Sequence, residues 1–220
     1  LTIALLLLVF WLVFFYQMRL QPWVYLYALV LIPFAVADLQ KEKEKAPSSQ
    51  ALINYLQVLL VGVYCWSGLH KFTPSFIEIT HPFLLKSLFR VPDGHWLLEN
   101  LELGYGAAVI ELLVGLGLIF PKTRNIAVFG AIATHLLIIA WLSPLGGNTN
   151  YVVIPWNVAM IALVWLSCYG QKNRLSLWLP AHPKLRLATL TLAMLVWIMP
   201  ALNLKNQWDA YLSFNLYSER

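Results

Sequence analysis

Charged residues are scarce in this chain. Asp, Glu, Lys and Arg make up 11% of its 220 residues, while hydrophobic residues make up 60%. Soluble domains carry about 25% charged residues, and the mean hydropathy of +0.69 points the same way. The apolar residues form long continuous runs instead of the short alternating segments of a membrane β-barrel. The composition therefore excludes a soluble domain and predicts a polytopic helical membrane protein.

Cysteine is also scarce, since the chain contains only Cys65 and Cys168. They fall near opposite ends of their predicted helices, so we expect roughly 20 Å between them, which is beyond disulfide reach. The sequence contains no Cys-x-x-Cys pair, no haem-attachment motif, no Walker motif and no dinucleotide fingerprint. These absences exclude a structural disulfide and leave no sign of a nucleotide site.

The apolar runs predict an all-α transmembrane bundle of about seven membrane helices. Ten Trp and ten Tyr residues fit aromatic belts at the two membrane surfaces. Several runs are shorter than the ~20 residues that a perpendicular span needs. The predicted segments are Leu1–Tyr16, Trp23–Ala37, Leu52–Leu69, Gly104–Phe120, Ile126–Leu142, Tyr151–Tyr169 and Leu185–Leu202.

A single membrane domain is predicted over residues 1–220. It comprises two N-terminal helices in 1–37, a four-helix core in 52–169, and a final helix with a tail in 185–220. The chain begins with Leu inside an apolar run and stops abruptly after a polar tail, so we expect it to be part of a longer protein.

Lys and Arg are distributed unevenly between the two sets of loops. Nine fall in the second, fourth and sixth loops, and six fall on the other side. The positive-inside rule makes the first set cytoplasmic. Residues 70–103 and 143–150 are then predicted to lie on the outer side of a bacterial inner (cytoplasmic) membrane. These loops account for the net charge of +5, so no nucleic-acid partner is expected.

Residues 70–103 form a connection that is too long for a simple loop. Within its interfacial part, 81–103, the segment His81–Arg90 carries apolar residues at helical spacing, with Lys86 and Arg90 four apart. We predict a short amphipathic helix at the outer interface, with these two cations directed to lipid headgroups. A packed lid over the bundle is compatible with this interpretation.

Two ionisable residues, Glu111 and His135, occur inside consecutive apolar segments. A titratable group in hydrocarbon is costly and persists where it faces a partner, water or the bundle interior. At 1.5 Å per residue, Glu111, His135 and Asn157 each lie roughly 10 Å from the outer ends of their helices. Small residues on the same faces favour close helix contact. We therefore predict that Glu111 and His135 lie within hydrogen-bond or one-water reach of each other.

The pair has three interpretations. It can fix helix register, handle protons or electrons as the candidate catalytic residues, or contact a ligand. The candidate ligand-binding residues at about this level are His70, Lys71, Glu111, His135, Trp156 and Asn157. A helix capped by Asn150 would also present a partly positive N-terminus to an anionic headgroup or a quinone carbonyl. No metal site is predicted, because zinc needs three or four ligands and the spacing matches no motif.

Two stretches resemble the DoxX-like membrane proteins. Tyr64–Phe72 is similar to the small-Gly-x-x-Lys signature of that family's first helix. Ile110–Phe120, followed by Thr123 and Arg124, resembles its second-helix motif of an acid, glycines and a basic turn. The resemblance covers about residues 52–169 and implies a four-helix core.

The remaining features are more similar to the HTTM group, which includes the vitamin K-dependent carboxylases. These features are the extra helices, His135 and the tail Trp208–Ser213. Both resemblances imply membrane redox proteins, quinone-linked oxidation or accessory subunits. They leave open whether the chain is itself a catalyst.

Two functional hypotheses follow. The first is a non-enzymatic accessory subunit that packs in a larger redox or energy-converting membrane complex, with lipids and protein subunits as partners. The alternative is a quinone-linked oxidoreductase, or a quinone- or lipid-binding protein, that uses Glu111, His135 and Asn157 on the outer side. Its ligand would be a quinone or a lipid. With no recognisable catalytic set, the sequence favours the non-enzymatic protein.

Overall fold

The computed structural model shows an α-helical protein, and no β-strand occurs among the residues it describes. This confirms the all-α prediction for that part of the chain. The structure describes residues 1–15, 21–40, 47–148, 151–177, 179 and 183–215. The chain divides into two compact units. Unit 1 comprises residues 1–59 and 175–214, and unit 2 comprises residues 60–174 and 215–220.

Ten α-helices occur in the described residues. They are α1 (Thr2–Phe15), α2 (Pro22–Gln40), α3 (Ser49–His70), α4 (His81–Ser87), α5 (Trp96–Glu99), α6 (Tyr105–Ile119), α7 (Arg124–Leu142), α8 (Ile154–Cys168), α9 (Pro183–Trp197) and α10 (Met199–Asn203). A π-helix, Phe76–Thr80, precedes α4. Short 3₁₀ turns occur at Leu101–Gly104, Tyr151–Val153 and Tyr211–Ser213.

Four helical segments are long and apolar enough to cross a membrane, which indicates a membrane protein. They are Ser49–His70, Leu101–Ile119, Arg124–Leu142 and Arg186–Asn203. Three further apolar stretches of helix are shorter, at 10–17 residues. These are Thr2–Phe15, Pro22–Asp38 and Ile154–Cys168.

The described residues therefore support four spans, not the predicted seven. The segments Leu1–Tyr16, Trp23–Ala37 and Tyr151–Tyr169 fall short. The helix formed from the last of these has 15 residues, which at 1.5 Å per residue gives about 22 Å, less than the ~30 Å of hydrocarbon. Apolar composition extends beyond the helix ends into turns, and that misled the sequence interpretation. The predicted cap at Asn150 lies outside the described residues.

Unit 1 contains α1, α2, the first part of α3, α9 and α10. Helix α1 packs on α2, and α9 packs on α10. The Tyr55 hydroxyl on α3 donates to the Leu29 carbonyl on α2 at 3.1 Å, while the Tyr25 ring on α2 stacks on Phe214. This unit contains none of the candidate site residues.

Unit 2 contains α4 to α8 and the last part of α3. Helix α7 packs on both α6 and α8, so it forms the middle of a three-helix layer. Its small residues Ala127 and Ala131 are buried. A Cβ added to Gly117 on α6 would lie 2.9 Å from the Ala127 Cβ. The small residues therefore allow α6 and α7 to approach closely, as membrane helices commonly do.

A buried arginine lies at the end of this layer where α7 begins. Arg124, the first residue of α7, is 0% exposed. Its guanidinium donates to the carbonyls of Leu118 (2.8 Å) and Ile119 (3.2 Å) at the end of α6, and of Gln171 (3.1 Å) and Asn173 (2.9 Å) after α8. The cation thus satisfies carbonyls near the C-terminal ends of two helices, where the helix dipole is negative.

The predicted amphipathic helix His81–Arg90 forms, but it ends earlier. Helix α4 covers His81–Ser87, and the chain then turns through Arg90, whose φ is +54°. The Lys86 ammonium lies 2.5 Å from the Asp93 carboxylate. Lys86 therefore has a partner within the chain, and its contact with headgroups stays a prediction.

The predicted orientation leads to a labelling result. Asn148 is exposed in the turn after α7. An Asn148→Cys variant should react with a membrane-impermeant maleimide in intact cells, because the Lys and Arg distribution over the seven segments expected from the sequence predicts that this turn lies outside. Lys122→Cys, in the exposed turn before α7, is the control and should react only after lysis. The opposite pattern at the two positions would reverse the orientation.

Candidate functional site

The candidate site depends on a close approach of α3 and α6. A Cβ added to Gly68 would lie 2.6 Å from the backbone nitrogen of Leu112, and one added to Gly115 would lie 2.7 Å from Cys65 Sγ. Such distances leave no space for a side chain at either glycine. The two backbones are therefore in contact, which allows polar groups on α3 and α6 to meet.

Lys71 and Glu111 form an ion pair at this crossing, with 2.5 Å between Nζ and Oε2. The Lys71 ammonium also donates to the Ser67 hydroxyl at 2.9 Å and lies 5.9 Å from the centre of the Phe76 ring. The two charged side chains are 13% and 12% exposed. An ion pair this enclosed interacts more strongly than one in water, but a small part of it remains accessible.

His135 lies in a separate chain of hydrogen bonds that joins three helices. Its Nε2 is 2.7 Å from the Tyr64 hydroxyl on α3, and its Nδ1 is 2.7 Å from Asn157 Oδ1 on α8. The Asn157 amide nitrogen donates to the Val153 carbonyl at 2.8 Å. Tyr64, His135 and Asn157 are all buried. The three helices α3, α7 and α8 thus each contribute one side chain to this series of hydrogen bonds.

These contacts determine which histidine nitrogen carries the proton. The Asn157 nitrogen is already used as a donor to Val153, so its Oδ1 must accept from His135 Nδ1–H. In the neutral ring Nε2 is then an acceptor, and Tyr64 O–H donates to it. The arrangement holds His135 as the neutral Nδ1–H tautomer.

The Lys71–Glu111 ion pair and the hydrogen bonds of His135 are close enough to interact. Glu111 acts electrostatically on both Tyr64 and His135, and Lys71 acts on His135. We call the set the polar cluster, which consists of Tyr64, Ser67, Lys71, Glu111, His135 and Asn157. It lies wholly within unit 2. It combines one matched ion pair with one oriented chain of neutral hydrogen bonds.

The structure gives Glu111 and His135 different direct partners, and their one-water reach of each other stays a prediction. Glu111 has a charged partner, but that partner is Lys71, and His135 hydrogen-bonds Tyr64 and Asn157 instead. The sequence interpretation included Lys71 among the candidate ligand-binding residues, but not as the partner of Glu111. The four-carbon stem of Lys71 reaches back along the helix, four residues to Ser67, and this returns the ammonium to the level of Glu111.

The other predicted ligand residues lie nearby in the chain. His70 is fully buried and stacks on the Trp66 ring, with 5.7 Å between centroids. Trp156 is buried next to Asn157 in sequence. Within the described residues, no group of three or more His, Cys, Asp or Glu side chains could hold a metal ion.

The sequence interpretation missed Tyr64 and Ser67 as site residues. With Lys71 they occur at positions i, i+3 and i+7, which lie on one face of a helix. That spacing was a usable signal. It is weak by itself, because Tyr is common at the ends of membrane helices and Ser is common where they pack together.

His81 is a further buried histidine, packed against the residue before α6. Its Nδ1 has no hydrogen-bond partner in the structure as described. The ring packs on Gly104, where an added Cβ would lie 3.0 Å from the ring Cγ. Burial lowers the pKa of His81 below its ordinary value, so the folded protein favours the neutral ring.

We expect stability to fall as the pH decreases through about 6.5, the ordinary pKa of histidine. Below that pH the unfolded chain binds a proton that buried His81 resists, so the His81 contribution is complete at higher pH and is lost on acidification. Thermal unfolding of the purified protein between about pH 8 and about pH 5 measures this. His81→Phe should reduce the pH dependence, and an unchanged dependence would contradict the assignment.

Comparison with models of known protein families, with curated protein sequences and with solved structures finds no match to this chain.

Proposed function

We propose that this chain is an integral membrane accessory subunit that packs in a larger membrane complex, and that the polar cluster fixes the arrangement of its helices. The supporting observation is that each polar group of the cluster is matched by another group of the same chain. Lys71 neutralises Glu111, and both ring nitrogens of His135 have partners. We place the subunit in a bacterial inner membrane, with residues 70–103 and 143–150 outside.

The matching favours a structural role for physical reasons. A catalytic group needs a donor or acceptor directed at its substrate. Here the imidazole of His135 lies between a phenol and an amide, and it is 6% exposed. Buried polar groups of this kind specify which helix faces meet, because any other register leaves them unpaired. The proposed role is therefore to hold one defined helix arrangement for partner subunits.

Purification from native membranes tests this proposal. An affinity-tagged chain extracted in a mild detergent should carry membrane protein partners in a fixed ratio. A Tyr64→Phe variant removes the hydroxyl that His135 accepts from, so it should lower the yield of that complex. A chain that purifies alone, at full yield and in a single oligomeric state, would contradict the accessory role.

A quinone-binding role is the second candidate, and one observation favours it. The side chains of the Lys71–Glu111 pair retain 13% and 12% exposure, so part of the pair is accessible to a ligand. An ammonium can donate to a quinone carbonyl and stabilise negative charge as the ring is reduced. The Phe72 ring stacks on the ring of Tyr105, the first residue of α6, with 5.8 Å between the ring centroids.

A short-chain ubiquinone analogue tests this alternative. Its titration into the purified protein should show saturable binding, and Lys71→Met should abolish it. Lys86→Met removes a lysine whose side chain is 50% exposed and should leave binding unchanged. Equal binding by both variants would argue against a quinone site at this pair.

A further inference from the structure

Residues 71–104, which we call the connector, expose several large apolar side chains. Six of them are between 42% and 67% exposed. They are Phe72, Ile79, Phe83, Phe89, Trp96 and Leu103. Transfer of apolar surface out of water is worth about 25 cal/mol per Å², so this surface is costly in contact with water. Four of the six are aromatic residues.

The connector is held in place by side-chain contacts, so this exposure does not reflect a loose loop. The Trp141 indole at the end of α7 donates to the Ser87 hydroxyl at 2.8 Å and packs edge-on against the Phe83 ring at 5.8 Å. The Ser87 hydroxyl donates to the Phe83 carbonyl at 2.6 Å. The Arg90 guanidinium donates to the Leu145 carbonyl at 3.5 Å. Helix α4 is therefore fixed to the end of a candidate membrane span.

The position of the connector in the chain limits where its apolar surface can lie. It joins the candidate spans Ser49–His70 and Leu101–Ile119, which follow one another directly. The first span carries the chain across the membrane and the second carries it back from the face it has reached. Both ends of the connector therefore lie at one interface. Aromatic side chains are favoured at that level, because their rings suit the boundary between headgroups and hydrocarbon.

The charge of the connector argues against attraction to anionic lipid. It contains three basic and four acidic residues. Lys71 pairs with Glu111 and Lys86 pairs with Asp93, so both ammonium groups are neutralised within the chain. The acidic residues Glu78, Glu99 and Glu102 are exposed. A surface with this balance should not require anionic headgroups.

We propose that the connector is an interfacial anchor that inserts Phe83, Phe89 and Trp96 into the lipid interface through apolar contact, without a need for anionic lipid. The partner is the zwitterionic bilayer surface itself. This inference goes beyond the accessory role and does not depend on the quinone alternative. It also differs from the sequence prediction, in which Lys86 and Arg90 contacted headgroups.

Spin labels measure the depth of the three side chains. Single cysteines replace Phe83, Phe89 and Trp96, one at a time, in the full chain reconstituted in nanodiscs. One set of nanodiscs contains phosphatidylcholine alone, and a second also contains phosphatidylglycerol. Oxygen concentrates in the bilayer and a nickel chelate stays in water, so their relative access reports depth. Asn148→Cys, in an exposed turn, provides the aqueous reference.

The proposal expects oxygen access to exceed nickel access several-fold at all three positions, relative to Asn148, in both lipid compositions. Nickel access at all three would place the connector in water and overturn the proposal. Oxygen preference only with phosphatidylglycerol would show that charge drives insertion, which also overturns it. Low access to both reagents would mean that protein covers the surface, with the same consequence.

Discussion

Gly68→Val should greatly lower the yield of folded protein. The new Cβ would lie 2.6 Å from the backbone nitrogen of Leu112 and 3.0 Å from its Cα, and backbone atoms cannot move aside as a side-chain tip can. Overpacking a core usually costs 1–3 kcal/mol. A clash with backbone in the middle of a helix crossing should reach about 3 kcal/mol or more. The yield of monodisperse protein in detergent and its melting temperature measure the effect.

Gly106→Val is the matched control. Gly106 is also helical, but a Cβ there would meet nothing within 4 Å. Both substitutions exchange glycine for the same β-branched residue, so helix propensity changes about equally. Gly106→Val should fold at normal yield. If the two variants behaved alike, close contact between α3 and α6 would not be what holds the polar cluster together.

Much of the helix layout could be predicted from the sequence, because apolar runs and small residues carry local information. The estimate of a common depth for His135 and Asn157 agrees with their direct hydrogen bond. Helix α7 ends and α8 begins at the same end of the layer, so counting residues from these two helix ends was sufficient. The helix at His81 was also predictable, since its periodicity is local.

The remaining features depend on side-chain reach and on contacts distant in sequence. The span count was too high because hydropathy does not show where a helix ends, as at Cys168. Lys71 was a candidate ligand-binding residue, but its pairing with Glu111 was not predicted, because a sequence gives the position of its Cα and not of its ammonium. The sequence showed Arg124 only as part of a basic turn. In the structure, carbonyls of Gln171 and Asn173, more than 40 residues away, complete its hydrogen bonds. Such pairings are visible only in the folded chain.

A second large effect is expected at the ion pair of the polar cluster. Glu111→Gln would leave the Lys71 ammonium enclosed, with Ser67 as its remaining partner on α3. Removing one member of a buried pair costs about 3–5 kcal/mol. Because these side chains are 13% and 12% exposed, we expect a smaller loss of about 2 kcal/mol. Lys71→Met should cost a similar amount, since it leaves the carboxylate unpaired.

The double variant Lys71→Met/Glu111→Gln separates the pair from its surroundings. It removes both charges, so neither is left without a partner, and it should recover most of the stability that either single change loses. The pair Lys86–Asp93 is the control, because it has the same 2.5 Å separation but side chains 50% and 88% exposed. Breaking it with Asp93→Asn should leave stability nearly unchanged, because an ion pair this exposed to water contributes little. Thermal unfolding of all four variants in one detergent compares them. If Glu111→Gln cost no more than Asp93→Asn, or if the double variant were as unstable as the sum of the singles, Lys71 and Glu111 would not act as a coupled pair, and the carboxylate would be free for another partner.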